Sequence, residues 1–179
     1  MSRISIPSAA NTIEASKPLL AAVQQQLGVT PNLMKVVGHS AAALEGYLSL
    51  NGALAKGKLN VQLRERIALA VAQANSCDYC LSAHHYLGRH VAKISDEEMT
   101  AARSAQSQDP KTAAALRFAS AIVEGRGMVS DTELAAVRAA GFDEAAVIEI
   151  VLNVSLNILT NYVNNVAHTD IDFPQVTAK

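Results

Sequence analysis

Tryptophan is absent, aromatic residues make up 4% of the chain, and 179 residues hold only two cysteines and five prolines. Each scarcity excludes something. Two cysteines cannot staple a secreted disulfide scaffold. Little proline, nine glycines and abundant Ala, Leu and Val are the composition of closely packed helices. A formal net charge of −1 gives no footing for a nucleic-acid or membrane-surface partner. The first residues, Met1 to Pro7, lack the apolar run of a signal peptide. The longest apolar stretch, Val147 to Val163, is broken by Glu149, Asn153, Asn157 and Asn161, so it does not read as a membrane span. A soluble, cytoplasmic protein is expected. In that reducing compartment a C-x-x-C pair is more often catalytic or metal-binding than a static crosslink.

What is present is a run of helix starts and stops. Pro31 is placed to open a helix carrying Leu33, Val36 and Val37, and Ser40 to cap one carrying Leu44, Tyr47, Leu48 and Leu54 that Gly57 ends. Asn60 precedes Leu63, Ile67, Ala70, Val71 and Ala74 on one helical face. Ser95 with Glu98 and Ser130 with Glu133 match the capping box. Pro110 suits a helix start, and Asp143 opens a last long helix to about Ala167. The expectation is an all-α, single-domain bundle of about eight helices over residues 14–172, with disordered ends. The last helix carries two apolar stripes: Val147, Ile150, Val151, Val154 and Ile158, then Ile148, Leu152, Leu159 and Val163. A second stripe in so small a chain points to burial by another subunit, hence a homo-oligomer.

Both cysteines lie in Cys77-Asp78-Tyr79-Cys80-Leu81-Ser82-Ala83-His84. Asn75-Ser76 is a plausible break in the helix from Asn60, with Ser76 as N-cap of the next. The cysteines would then sit in a first turn, where free N–H groups and the helix dipole lower a thiol pKa. Cys77, Cys80 and His84 share one helical face. Glu65 lies 12 residues before Cys77, out of reach along a straight helix. If the chain reverses at Asn75-Ser76, Glu65 arrives beside His84. A carboxylate holding an imidazole that faces a thiol is the arrangement of an activated nucleophile.

Glu65 followed by C-x-x-C-x-x-x-H resembles the signature of the alkylhydroperoxidase D family, within the carboxymuconolactone decarboxylase-like superfamily, and the residues around the cysteines are similar to its peroxidase-related branch. The resemblance implies an all-α fold assembling as homotrimers or homohexamers, with no cofactor or metal. It implies reduction of organic or hydrogen peroxide in antioxidant defence. Cys80 would attack and become a sulfenic acid, Cys77 would donate a proton and resolve it as a disulfide, and Glu65 and His84 would relay protons. An external dithiol, lipoyl or thioredoxin-like, would restore the thiols. The dipole favours Cys77 as nucleophile and the His84 spacing favours Cys80; the closer base decides for Cys80.

Three rivals stand beside this reading. Cys77, Cys80 and His84, with His85 or a distant histidine, could ligate zinc. A lyase of the carboxymuconolactone decarboxylase type would need no cysteine pair. A redox sensor would form the same disulfide without turnover. His39, His90 and His168 read as ordinary polar positions, and Lys56, Lys58, Arg64 and Arg66 as a solvated face. The row Asn153, Asn157, Asn161 and Asn165 reads as a hydrogen-bonded polar seam, part of which could line a cavity over Cys80.

Overall fold

Helices begin where a short polar side chain can accept the first free backbone N–H groups. The computed structural model describes residues 2–178, which contain nine α-helices and no strand. In chain order these are α1 (Lys17–Leu27), α2 (Asn32–Val37), α3 (Ala41–Leu54), α4 (Val61–Ala74), α5 (Asp78–His90), α6 (Asp96–Arg103), α7 (Pro110–Glu124), α8 (Asp131–Ala139) and α9 (Glu144–Ala167). Ser40, Asn60, Ser95, Asp109, Ser130 and Asp143 each accept a first-turn N–H. Ser130 and Glu133 form the full capping box. At Ser95 only half of it forms, because Glu98 instead accepts from the Ser107 hydroxyl and the Gln108 N–H and pairs with Arg66. Pro31 is the N-cap of α2 rather than its first helical residue.

Helix α4 is the hub, packing against α5, α6, α7 and α9. Ile67 through Ala72 are all buried, and alanine at 68, 70 and 72 leaves neighbours room to approach from every side. Leu116, Ile150, Val154, Leu81 and Met99 complete the centre, each fully shielded from solvent; such side chains contribute roughly 1.5–3 kcal/mol apiece. Helix α9 is the one described helix long and apolar enough to cross a membrane, and half of that stretch is packed inside the protein, as in a core helix. Of its two stripes, Val147, Ile150 and Val154 are buried, whereas Ile148, Leu152 and Leu159 stay exposed beside Tyr162 and Val166.

The ends are docked, contrary to the expected disorder. Arg3 N–H donates to the Ala167 carbonyl at 2.6 Å, and His39 Nε2 donates to the Ser5 carbonyl at 2.8 Å. The C-terminal tail crosses α5. The Ser82 hydroxyl accepts from Val176 N–H (2.9 Å), Asp78 accepts from Ala178 N–H (2.7 Å), and Arg103 donates to the Thr177 carbonyl (2.6 Å). Phe173 meets Tyr79 edge-on, ring centroids 5.8 Å apart. Because most of these bonds use the tail's backbone, its side-chain sequence carries no sign of them.

Candidate active site

The turn between α4 and α5 brings the site together. Ser76 takes a left-handed conformation (φ +49°) and reverses the chain. Two asparagines of α9 hold this turn: Asn75 donates to Asn161 Oδ1 at 3.0 Å, and the Asn75 carbonyl accepts from Asn165 at 2.9 Å. The N-cap of α5 is Cys77 and not Ser76; its Sγ accepts from the Cys80 N–H at 3.3 Å. Cap and third helical residue face each other across one turn, so the pair closes as a disulfide with Cα atoms 5.3 Å apart, inside the ordinary range.

The two sulfurs have different surroundings. Both cysteines are buried, but only Cys80 lines a cavity of about 70 Å³. Glu65, His84, Tyr47, Arg64 and Asn157 share that cavity with it. Cys77 is fully shielded from solvent and does not line it. Asn164, itself buried and not part of the cavity lining, donates from Nδ2 to Cys80 Sγ at 3.3 Å.

The chain reversal sets Glu65 Oε2 2.8 Å from His84 Nδ1, with the side chains 16% and 22% exposed. Facing a carboxylate, Nδ1 carries the ring hydrogen, which leaves Nε2 as the nitrogen able to take a proton. The Tyr47 phenol is pushed up to about 12, first by burial and then by the Glu65 carboxylate, so it is a neutral donor at working pH. The Tyr79 phenol is also raised, chiefly by burial; its oxygen accepts from Leu33 N–H at 3.1 Å, tying α5 to the start of α2.

The expected solvated basic face is only partly present. Arg64 lines the cavity with its Nε buried and without a hydrogen-bond partner, Arg66 pairs with Glu98 at 3.3 Å, and Lys58 pairs with Asp143. Of the asparagine row, Asn153 and Asn157 line the cavity, whereas Asn161 and Asn165 hold the turn. Sequence reasoning missed Tyr47, Arg64 and Asn164. A signal for Asn164 exists: Asn153, Asn157, Thr160 and Asn164 fall on one helical face, i, i+4, i+7 and i+11. His85 lies 4.0 Å from Asp96 and is held below its ordinary value by burial and then by Arg89; His90 stacks on Tyr86; His168 ends α9 in a left-handed conformation. Among the described residues no three His, Cys, Asp or Glu side chains are grouped to hold a metal ion.

The carboxymuconolactone decarboxylase family model matches residues 41–125, a span that contains Glu65, Cys77, Cys80 and His84. No curated protein matches the chain. Among solved structures, an alkylhydroperoxidase AhpD core, a peroxidase-related protein from Ralstonia eutropha JMP134, superposes with a TM-score of 0.85 at 23% identity, covering 96% of this chain and 92% of its own. A peroxidase-related protein from Silicibacter sp. TM1040 gives 0.80 at 20% identity, covering 94% and 89%. The debrominase Bmp8 gives 0.80 at 20% identity, covering 95% and 92%. The helices that follow residue 125 thus continue the fold of these structures, and residues 41–125 are similar to the carboxymuconolactone decarboxylase family.

Proposed function

We propose that the protein is a thiol-dependent hydroperoxidase that cycles between the Cys77–Cys80 disulfide and a dithiol. The observation that carries the reading is the asymmetry of the pair: a disulfide of which only Cys80 lines a cavity that also holds the Glu65–His84 couple. In the reduced protein His84, oriented by Glu65, draws the proton from Cys80. The Cys80 thiolate attacks one peroxide oxygen; the O–O bond breaks, the alcohol or water leaves with a proton, and Cys80 becomes a sulfenic acid. Cys77 then attacks that sulfur, water leaves, and the disulfide forms. A positioned base of this kind contributes typically about 10²–10⁴-fold. Tyr47 and Arg64 flank the peroxide as donors. The cycle suits a cytoplasmic protein supplied with an external dithiol, lipoyl or thioredoxin-like.

The exposed stripe of α9 belongs to this proposal as the contact with a second copy of the chain. Ile148, Leu152, Ser155, Leu159, Tyr162 and Val166 follow a 4-3-4-3-4 spacing with no charge among them. That is the repeat with which two helices pack along each other.

The test is steady-state peroxide consumption with dihydrolipoamide as electron donor. Wild type turns over, and Cys77→Ser and Cys80→Ser do not; a wild type that consumes no peroxide overturns the proposal. Because a debrominase shares the fold, a brominated pyrrole is run as a second substrate. The cavity, about 70 Å³, is well below the size of an ordinary small-molecule site, which favours a small peroxide over a substituted ring.

A further inference from the structure

Cys80 is 2% exposed. A thiol shut away from water resists ionising, because burial penalises the charged form. A nucleophilic Cys80 therefore needs groups that receive its charge. Three helices bring titratable or charged side chains to its cavity: Tyr47 on α3, Arg64 and Glu65 on α4, and Tyr79 and His84 on α5. Helix α9 brings none; it lines the cavity with Asn153, Leu156, Asn157 and Thr160. Yet α9 supplies the one hydrogen bond that Cys80 Sγ accepts among the described residues, from Asn164 Nδ2 at 3.3 Å.

The two sulfurs are unequal in their donors. Cys77 is the N-cap of α5, and its Sγ accepts from the Cys80 N–H at 3.3 Å. That donor belongs to the backbone, and the helix dipole acts on the same sulfur. Local structure by itself thus favours Cys77 as the thiolate. Cys80 is the third helical residue, and its donor lies 84 residues away in the chain.

Asn164 makes this contact at a cost. Its side chain is buried, and Oδ1 has no partner. A disulfide sulfur can only accept, so the amide turns Nδ2 to it and leaves Oδ1 orphaned. An amide buried with one end unpaired destabilises a fold, and a redox or catalytic role is one recognised reason to keep it. The position is fixed by its neighbours. Asn161 and Asn165 bind the Asn75 turn, and the Asn164 carbonyl accepts from the Thr169 N–H at 3.2 Å. Asn164 does not line the cavity, so its bond to sulfur takes no space from a substrate there.

We propose that Asn164 places the negative charge of the reduced pair on Cys80 instead of Cys77. After reduction the same N–H faces Cys80 Sγ, and its bond becomes charge-assisted as the thiol loses its proton. Asn164 touches the reacting sulfur and is in that sense a catalytic residue. Its part in turnover rests on the hydroperoxidase reading; its effect on ionisation rests on the geometry alone.

The experiment follows thiolate ultraviolet absorbance against pH in fully reduced protein, with no peroxide present. Wild type, Cys77→Ser and Cys80→Ser assign each titration step to a sulfur. The lower step should belong to Cys80. Asn164→Leu, of similar volume and without a donor, should raise that step by about one to two pH units, the worth of one hydrogen bond to a charged group. Asn164→Asp keeps the shape but sets an acceptor against the sulfur, and should raise the step at least as far. Thermal unfolding of the oxidised variants is measured beside the titration. A structural role alone predicts a lower unfolding midpoint with the titration unmoved, and that result overturns the inference. So does a lower step that belongs to Cys77 in wild type. If Asn164→Leu fails to fold, Asn164→Asp decides. Protein that titrates as expected yet consumes no peroxide sinks the hydroperoxidase reading alone.

Discussion

Replacing Glu65 with glutamine tests the relay with little change of shape. The carboxylate sits 2.8 Å from His84 Nδ1, and the two side chains are 16% and 22% exposed, so the pair is only modestly screened by solvent. A hydrogen bond to a charged group is worth about 1.5–3 kcal/mol, against about 0.5–1.5 for a neutral one. Glutamine keeps an oxygen that accepts from Nδ1 but no longer offsets the positive charge His84 gains when it takes the Cys80 proton. The loss falls on the step in which that charge develops, so the rate constant for oxidation of reduced protein by peroxide should drop roughly 10- to 100-fold. The assay is stopped-flow mixing of pre-reduced Glu65→Gln with excess peroxide, followed by thiol loss, beside thermal unfolding of the same sample. The midpoint should move by only a few degrees, because the glutamine oxygen keeps the hydrogen bond from Nδ1. An unchanged oxidation rate refutes the relay. A rate loss matched by an equal loss of folded protein refutes a catalytic role for the pair.

Other outcomes follow from the same geometry. Tyr47 is raised to about 12 and Tyr79 is raised further, each first by burial, so both stay protonated in the folded state where a free tyrosine ionises. The stability tied to Tyr47 is therefore full below pH 10 and is lost as pH rises through 12, up to about 2–3 kcal/mol; phenolate absorbance should show tyrosines that ionise only as the protein unfolds, and Tyr47→Phe should remove one of them. At Gly57 a Cβ would collide with the Glu149 carboxylate, which accepts from Lys58 N–H (2.7 Å) and Leu59 N–H (3.2 Å). Gly57→Ala should cost about 1–3 kcal/mol in denaturant unfolding through those lost bonds, and a variant as stable as wild type would contradict this account of the turn. Leu159→Asp, in the exposed stripe of α9, should lower the assembled mass in sedimentation while leaving the helical circular dichroism unchanged.

Much of this architecture is legible in local chemistry. The caps at Ser40, Asn60, Asp109, Ser130 and Asp143 act on N–H groups only a few residues away, so their pattern survives any packing. The reversal at Asn75–Ser76 is readable too, and with it the approach of Glu65 to His84. What escapes is non-local or carried by backbone. The docked tail is held largely through the amides of Val176 and Ala178 and the carbonyl of Thr177, which any sequence would supply. Helix α1, with Pro18 in its first turn and Gly28 closing it at φ +75°, escapes because its buried face is only Leu20 and Val23. Arg64 looks like its charged neighbours until α4 is set against α5 and α9, and then one arginine of the cluster faces the cavity. Asn164 is hidden beside a more obvious asparagine row whose members mostly serve the turn and the cavity wall instead of the sulfur.

The central claim is that Cys80 is the sulfur that meets peroxide. The direct measurement is mass spectrometry of Cys77→Ser and Cys80→Ser after a brief peroxide pulse in the presence of a sulfenic-acid-selective trap. The account predicts one adduct, on Cys80 of the Cys77→Ser protein, and none on Cys80→Ser. An adduct on Cys77 of the Cys80→Ser protein, with Cys80 left unmodified in its counterpart, would contradict it.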